Sequence, residues 1–242
     1  MLPKAILFDL DDTILIEDAA SRRAWEETCQ AYAEKTGLCK SEELLKRIRE
    51  SSEWFWNDPV RRREATASFY RARVTYVKRA LRGFGCDDEQ TAHEIVIAFT
   101  ALKDSLIGFL PRAEETIRSI AGRGFRLALL TNGDAKVQRD KVIRFGLLHY
   151  FPVCLIEGEL GYGKPDSRVF QTALDRLGVP ADGAWMVGDL LETDITGAQN
   201  LGIFTVWCDY SRKGLPADTK IVPDRTINDI SELMKLVDTK GS

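Results

Sequence analysis

Phe8-Asp9-Leu10-Asp11-Asp12-Thr13 follows the apolar run Ala5-Ile6-Leu7 almost at the start of this chain. Asp9 and Asp11 are two residues apart, and on an extended chain such residues fall on the same side. Two carboxylates so placed suit a hard cation such as Mg²⁺. One can also attack as a nucleophile while the other moves a proton. The preceding apolar run reads as a buried parallel strand. Open α/β sheets hold their ligands beyond the carboxyl ends of their strands. Taken alone, the hexapeptide also reads as an acidic turn.

Three later segments have complementary chemistry. Thr131-Asn132-Gly133 ends an apolar run and opens a helical pattern. A hydroxyl, an amide and a glycine at a helix start suit a phosphate, and equally suit an N-cap. Lys164-Pro165 lies in Gly161-Tyr162-Gly163-Lys164-Pro165-Asp166. A lysine held there can aim a fixed positive charge at a phosphate or a carboxylate, although an isolated Lys-Pro is more often surface. Gly188-Asp189-Leu190-Leu191-Glu192-Thr193-Asp194 supplies more acids. Asp189 can complete an oxygen-rich Mg²⁺ shell, and Asp194 can brace Lys164 or a metal-bound water. Acids favoured by a helix dipole are the plainer reading.

The elements that must position these residues alternate. Strands are expected at 126–131, 153–156, 184–188 and 203–207, after the first at residues 5–8. Helices are expected at about 112–122, 134–145, 167–177 and 192–201, with a last one at 229–238. Glycines follow the first four, at Gly124, Gly146, Gly178 and Gly202, where a C-terminal glycine belongs. This alternation predicts an α/β fold: a doubly wound, parallel-sheet, Rossmann-like core. Residues 16–106 carry no convincing strand. Helices near 18–36, 41–56, 60–82 and 88–105 predict an inserted α-helical bundle. The core domain is therefore expected at 1–15 and 107–242, and the helical cap domain at 16–106.

Composition narrows the classes. Hydrophobic residues make up 44% and charged residues 29% of 242, as in a soluble globular protein. A net charge of −3 argues against binding nucleic acid along the whole chain. No apolar stretch approaches the ~20 residues that span a membrane. The chain turns acidic at Asp9, too soon for a signal-peptide apolar region. Five scattered cysteines without a C-x-x-C pair fit reduced thiols in a cytoplasmic protein. Two histidines leave little support for histidine catalysis.

Asp9-Leu10-Asp11-Asp12-Thr13, Thr131, Lys164 and Gly188-Asp189 through Asp194 match four motifs of one family. The chain resembles the haloacid dehalogenase-like hydrolases, in particular members with a helical cap inserted after the first motif. The resemblance implies that Asp9 is the nucleophile and forms an aspartyl-phosphate. Asp11 is then the acid and base, although a free Asp titrates near ~3.9 and must be held protonated for the first step. It also implies Mg²⁺ bound by the Asp9 carboxylate, the Asp11 carbonyl and Asp189, with Asp194 beside it. Thr131, Asn132, Gly133 and Lys164 are the expected phosphate contacts, and Thr13 orients the first loop and the substrate.

The family's dehalogenases lack the second aspartate of the first motif, so Asp11 points to phosphoryl transfer. The expected protein is a Mg²⁺-dependent phosphatase acting on a small phosphorylated metabolite, of sugar phosphate, nucleoside monophosphate or phosphoglycolate type. The expected state is monomer or homodimer, with no nucleic-acid or membrane partner. A phosphomutase and a catalytically silent binding protein are the alternatives. The cap is expected to close over the site and select the leaving group. It is neutral overall, with 16 basic and 16 acidic residues over 15–108. Arg71, Lys78 and Arg82 share a helix face that either attracts an anion or is simply solvated. Trp54, Phe55 and Trp56 read as cap packing sooner than as a base-stacking surface. Arg22 and Arg23, near the cap entrance soon after the first motif, are better substrate-contact candidates than these.

Overall fold

Ala5–Phe8 (β1) lies near the middle of a six-stranded sheet in a computed structural model that describes residues 2–65 and 68–238. The other strands are Arg126–Thr131 (β2), Val153–Ile156 (β3), Ala184–Gly188 (β4), Phe204–Cys208 (β5) and Arg225–Ile227 (β6). Their order is β3-β2-β1-β4-β5-β6, and every neighbouring pair is parallel. This is the doubly wound order whose reversal beside the first strand opens a ligand crevice at the carboxyl ends.

The chain divides into two compact units. The first holds the sheet and comprises residues 1–16 and 108–242. Its central strands are largely apolar because both faces are covered. Ala5, Leu7, Leu130 and Met186 pack on Phe170 and Leu174 of the helix Ser167–Leu177. On Phe8 the ring of Phe151 lies edge-on, with centroids 5.7 Å apart. The remaining helices of this unit are Ala113–Gly122, Ala135–Arg144, Glu157–Leu160, Thr196–Gln199 and Glu232–Asp238. The strand β6 departs from the sequence reading. It has three residues, two of them exposed, so no apolar run marks it.

The second unit, residues 17–107, is helical: Asp18–Thr36 (α1), Ser41–Trp56 (α2), Pro59–Ala65 (α3), Phe69–Arg82 (α4) and Glu89–Leu106 (α5). The stretch expected as one helix over 60–82 is two helices. Ser68 is extended at φ −170° and its side chain accepts from the Arg71 N–H, so it starts α4 as an N-cap. Thr66 and Ala67 lie outside the described residues. Phe55 is buried, and Trp54 and Trp56 pack partly buried against the same core. The guanidinium groups of Arg61 and Arg79 lie 3.8 and 4.2 Å from the Trp54 ring centroid. Lys78 pairs with Glu89 at 2.8 Å and Arg82 with Asp87 at 2.7 Å. Arg23 pairs with Glu27 at 2.6 Å, and Arg22 pairs with Asp18. Among the described residues no helix is long and apolar enough to cross a membrane, and all five cysteines are free.

Candidate active site

The strand register brings the predicted segments together. Phe8 lies opposite Leu129 on one side and Val187 on the other. One residue on, the Asp9 N–H donates to the Val187 carbonyl at 2.9 Å. Asp9 thus stands at the carboxyl edge between the ends of β2 and β4. The chain then turns back, with the N–H groups of Ile14 and Leu15 both donating to the Leu10 carbonyl at 2.9 and 3.0 Å. Asp12 takes φ +57° in this turn, a left-handed conformation that costs an ordinary residue energy and recurs at functional sites.

Lys164 is buried between two carboxylates. Its ammonium pairs with Asp9, and with Asp194 at 2.7 Å. Asp194 is fully buried, and its other oxygen accepts from the Leu190 N–H at 3.0 Å. Both Asp194 oxygens are therefore engaged by the protein. Gly188 makes room for this: a Cβ there would overlap the Asp194 carboxylate. Asp189 is held by its carbonyl, which accepts from Trp207 Nε1 at 2.7 Å. Its carboxylate lies 3.4 Å from the Thr13 hydroxyl, and the Thr13 carbonyl accepts from the Tyr210 hydroxyl at 2.9 Å.

The remaining sequence candidates are placed less directly. Asn132 turns its side chain onto the Lys164 backbone: Nδ2 donates to the carbonyl at 2.7 Å, and Oδ1 accepts from the N–H at 2.8 Å. It holds the lysine loop instead of facing an anion. Nor is the expected helix-start anion site open. The Gly133 N–H donates to Glu157 at 2.9 Å, and the first free N–H groups of the next helix donate to Asp134. Those donors are satisfied internally, as buried donors must be. Thr131 is buried at the end of β2. The Asp11 carboxylate accepts from Gln138 and Lys141, both on the helix Ala135–Arg144, and its charge is close enough to help raise the Asp9 value. Neither Gln138 nor Lys141 was singled out in the sequence. Their one signal is a three-residue spacing on a helix that begins just after Thr131-Asn132-Gly133.

Carboxylate oxygens of Asp9, Asp189 and Asp194 all lie within 4.8 Å of one another. One ammonium faces three acids. Burial pushes Asp9 up to about 7, with Lys164 pulling it down and Asp194 pushing it up. Burial also pushes Asp189 up to about 8, reinforced by Asp9 and Asp194. For Lys164, burial works against the charge, but Asp194 and Asp9 hold it above the usual ammonium range. This excess of hard oxygen donors is the environment a divalent cation fits. Asp9 and Asp189 are the carboxylates best placed to hold it, since Asp194 is committed to Lys164 and Leu190.

The raised values have a consequence for stability. Between their unfolded value near 3.8 and about 7 to 8, the folded chain binds more protons at Asp9 and Asp189 than the unfolded chain does. Stability contributed at low pH is therefore lost as pH rises through that window. The metal-free protein is expected to melt at lower temperature at pH 8 than at pH 5.5. Mg²⁺ at 100 times its Kd should raise the pH 8 melting temperature by roughly 5–10 °C and the pH 5.5 value less. Calorimetric scans with EDTA and with Mg²⁺ check this.

Comparison with known proteins agrees with this geometry. A phosphoserine phosphatase of Thermus thermophilus is 33% identical, the match covering 95% of this chain and 97% of that protein. A glyceraldehyde 3-phosphate phosphatase of Methanopyrus kandleri is 30% identical, with 97% of each chain covered. Among solved structures, magnesium-bound YfnB of Bacillus subtilis superimposes with a TM-score of 0.74 at 21% identity, over 98% of this chain and 100% of that one. A family model described as haloacid dehalogenase-like hydrolase matches residues 3–202, and the chain belongs to that family.

Proposed function

We propose that the protein is a Mg²⁺-dependent phosphatase that hydrolyses a small phosphomonoester through an aspartyl-phosphate on Asp9. The observation that carries this reading is the buried Asp9 carboxylate at the sheet's carboxyl edge, paired with Lys164 and within 4.8 Å of Asp189 and Asp194. Relatives that match nearly the whole chain are phosphatases of small metabolites.

In this reading Asp9 attacks phosphorus and the ester oxygen departs. Lys164 keeps the nucleophile ionised and oriented and offsets charge growing on the phosphoryl oxygens. Thr131 contributes its hydroxyl to those oxygens. Asp11 gives a proton to the departing oxygen, then takes one from the water that cleaves the aspartyl-phosphate. Asp194 and Asn132 hold Lys164 in place, Thr13 steadies Asp189, and Gly133 shapes the loop beside Thr131. Asp9 and Asp189, with the Asp11 carbonyl, would hold Mg²⁺, whose positive charge would let a carboxylate approach an anionic phosphate.

A panel of sugar phosphates, nucleoside monophosphates, phosphoserine and phosphoglycolate tests the reading. Phosphate release is expected with Mg²⁺ and should fall at least about 100-fold in EDTA, the loss of several kcal/mol of charge stabilisation. Release unaffected by EDTA would contradict the metal assignment. An isomer accumulating without free phosphate would point to a mutase.

A further inference from the structure

The Asp11 carboxylate is held by two side chains of the helix Ala135–Arg144. Lys141 Nζ donates to both of its oxygens, at 2.8 and 2.9 Å. Gln138 Nε2 donates to one of them, at 2.9 Å. The same nitrogen donates to the Thr131 hydroxyl oxygen at 2.5 Å. A carboxylate with two acceptor oxygens settles which end of the Gln138 amide faces it. Gln138 and Lys141 are 2% and 6% exposed, and a polar pair so buried is unusual unless its partners are fixed. The two lie three residues apart on one face of Ala135–Arg144. Gly133, at φ +129°, leaves room for this arrangement: a Cβ there would press on Gln138 Cγ at 3.3 Å.

From this geometry, and resting on the phosphatase reading above, we infer that Gln138 and Lys141 are positioning residues that set Asp11 for proton transfer and tie it to Thr131. Three hydrogen bonds from these two side chains restrict Asp11 to one side-chain orientation, with both oxygens acting as acceptors. That is the form in which it ends the first step and begins the second. In the first step the Asp9–phosphorus bond forms, the phosphorus–ester oxygen bond breaks, and the Asp11 proton passes to the departing oxygen. In the second, water oxygen bonds phosphorus, the Asp9–phosphorus bond breaks, and a water proton passes to Asp11. Gln138 also fixes the Thr131 side chain, whose hydroxyl accepts from Gln138 Nε2 and donates to the Asn132 carbonyl at 3.4 Å.

The test uses leaving-group dependence, with 4-nitrophenyl phosphate and an unactivated alkyl phosphate that the wild-type protein hydrolyses. A nitrophenolate departs without help; an alkoxide needs the Asp11 proton. For both esters kcat/KM reports the first step. Lys141→Met is expected to lower kcat/KM for the alkyl ester about 10- to 100-fold and for the nitrophenyl ester less than about 3-fold. Gln138→Leu should do the same more weakly, and Lys141→Arg should restore part of the alkyl activity. The ratio of the two esters on one preparation is independent of the folded fraction, so poor folding does not obscure it. An unchanged ratio, whether both activities fall together or neither falls, overturns the inference. Failure of the wild-type protein on every ester would overturn the phosphatase reading itself.

Discussion

Asp9→Asn is expected to leave a folded protein with phosphatase activity reduced about 10⁴-fold or more. Asn has nearly the same shape as Asp but cannot attack phosphorus as an anion, and removing a nucleophile typically costs that much. Stability should move the other way. Burial holds the Asp9 value near 7 in the folded protein, so at pH 8 the ionised carboxylate weighs against folding. Removing that charge leaves Lys164 still paired with Asp194 at 2.7 Å. Without metal at pH 8, Asp9→Asn is therefore expected to melt no lower than wild type. Steady-state turnover and a thermal scan on one preparation check both halves. Lost activity together with a collapsed melting temperature would make Asp9 a structural residue instead.

Lys164→Met is expected to damage both properties. The lysine is buried against the carboxylates of Asp9 and Asp194. Removing one partner of a buried ion pair strands the other, at a cost of about 3–5 kcal/mol. At pH 8 without metal this corresponds to a melting temperature lower by roughly 6–15 °C. At pH 5.5 the loss should be smaller, because Asp9 and Asp189, raised by burial to about 7 and 8, then carry protons. Loss of a preorganised charge at the phosphoryl oxygens should lower kcat about 100- to 1000-fold. Melting curves at the two pH values, with and without Mg²⁺, and turnover on the preferred ester check these outcomes.

The parts of this chain legible in sequence are those that local patterns specify. Five strands stand out because a sheet buried on both faces needs uninterrupted apolar runs such as Leu127-Ala128-Leu129-Leu130. The acid- and lysine-bearing segments stand out because each follows such a run. Long-range contacts are illegible for the opposite reason. Lys141 lies 130 residues from Asp11, and nothing near either residue marks the pairing. The type and place of Gly133 suit an anion site, yet its N–H is claimed by Glu157, 24 residues on. Asn132 resembled a phosphate ligand because its type suits one, but the loop of Lys164 comes within reach of both ends of its amide. The split between the helices Pro59–Ala65 and Phe69–Arg82 rests on one Ser68 cap inside a continuous helical pattern.

The most direct measurement is to quench the protein in acid during turnover of its preferred ester with Mg²⁺, and to map the phosphoryl group by peptide mass. The expected result is a phosphoryl group on the peptide that carries Asp9, absent in Asp9→Asn and absent when EDTA replaces the metal. Phosphoryl on another residue, or an actively turning-over protein whose Asp9 peptide is never phosphorylated even under rapid quench, would contradict the account.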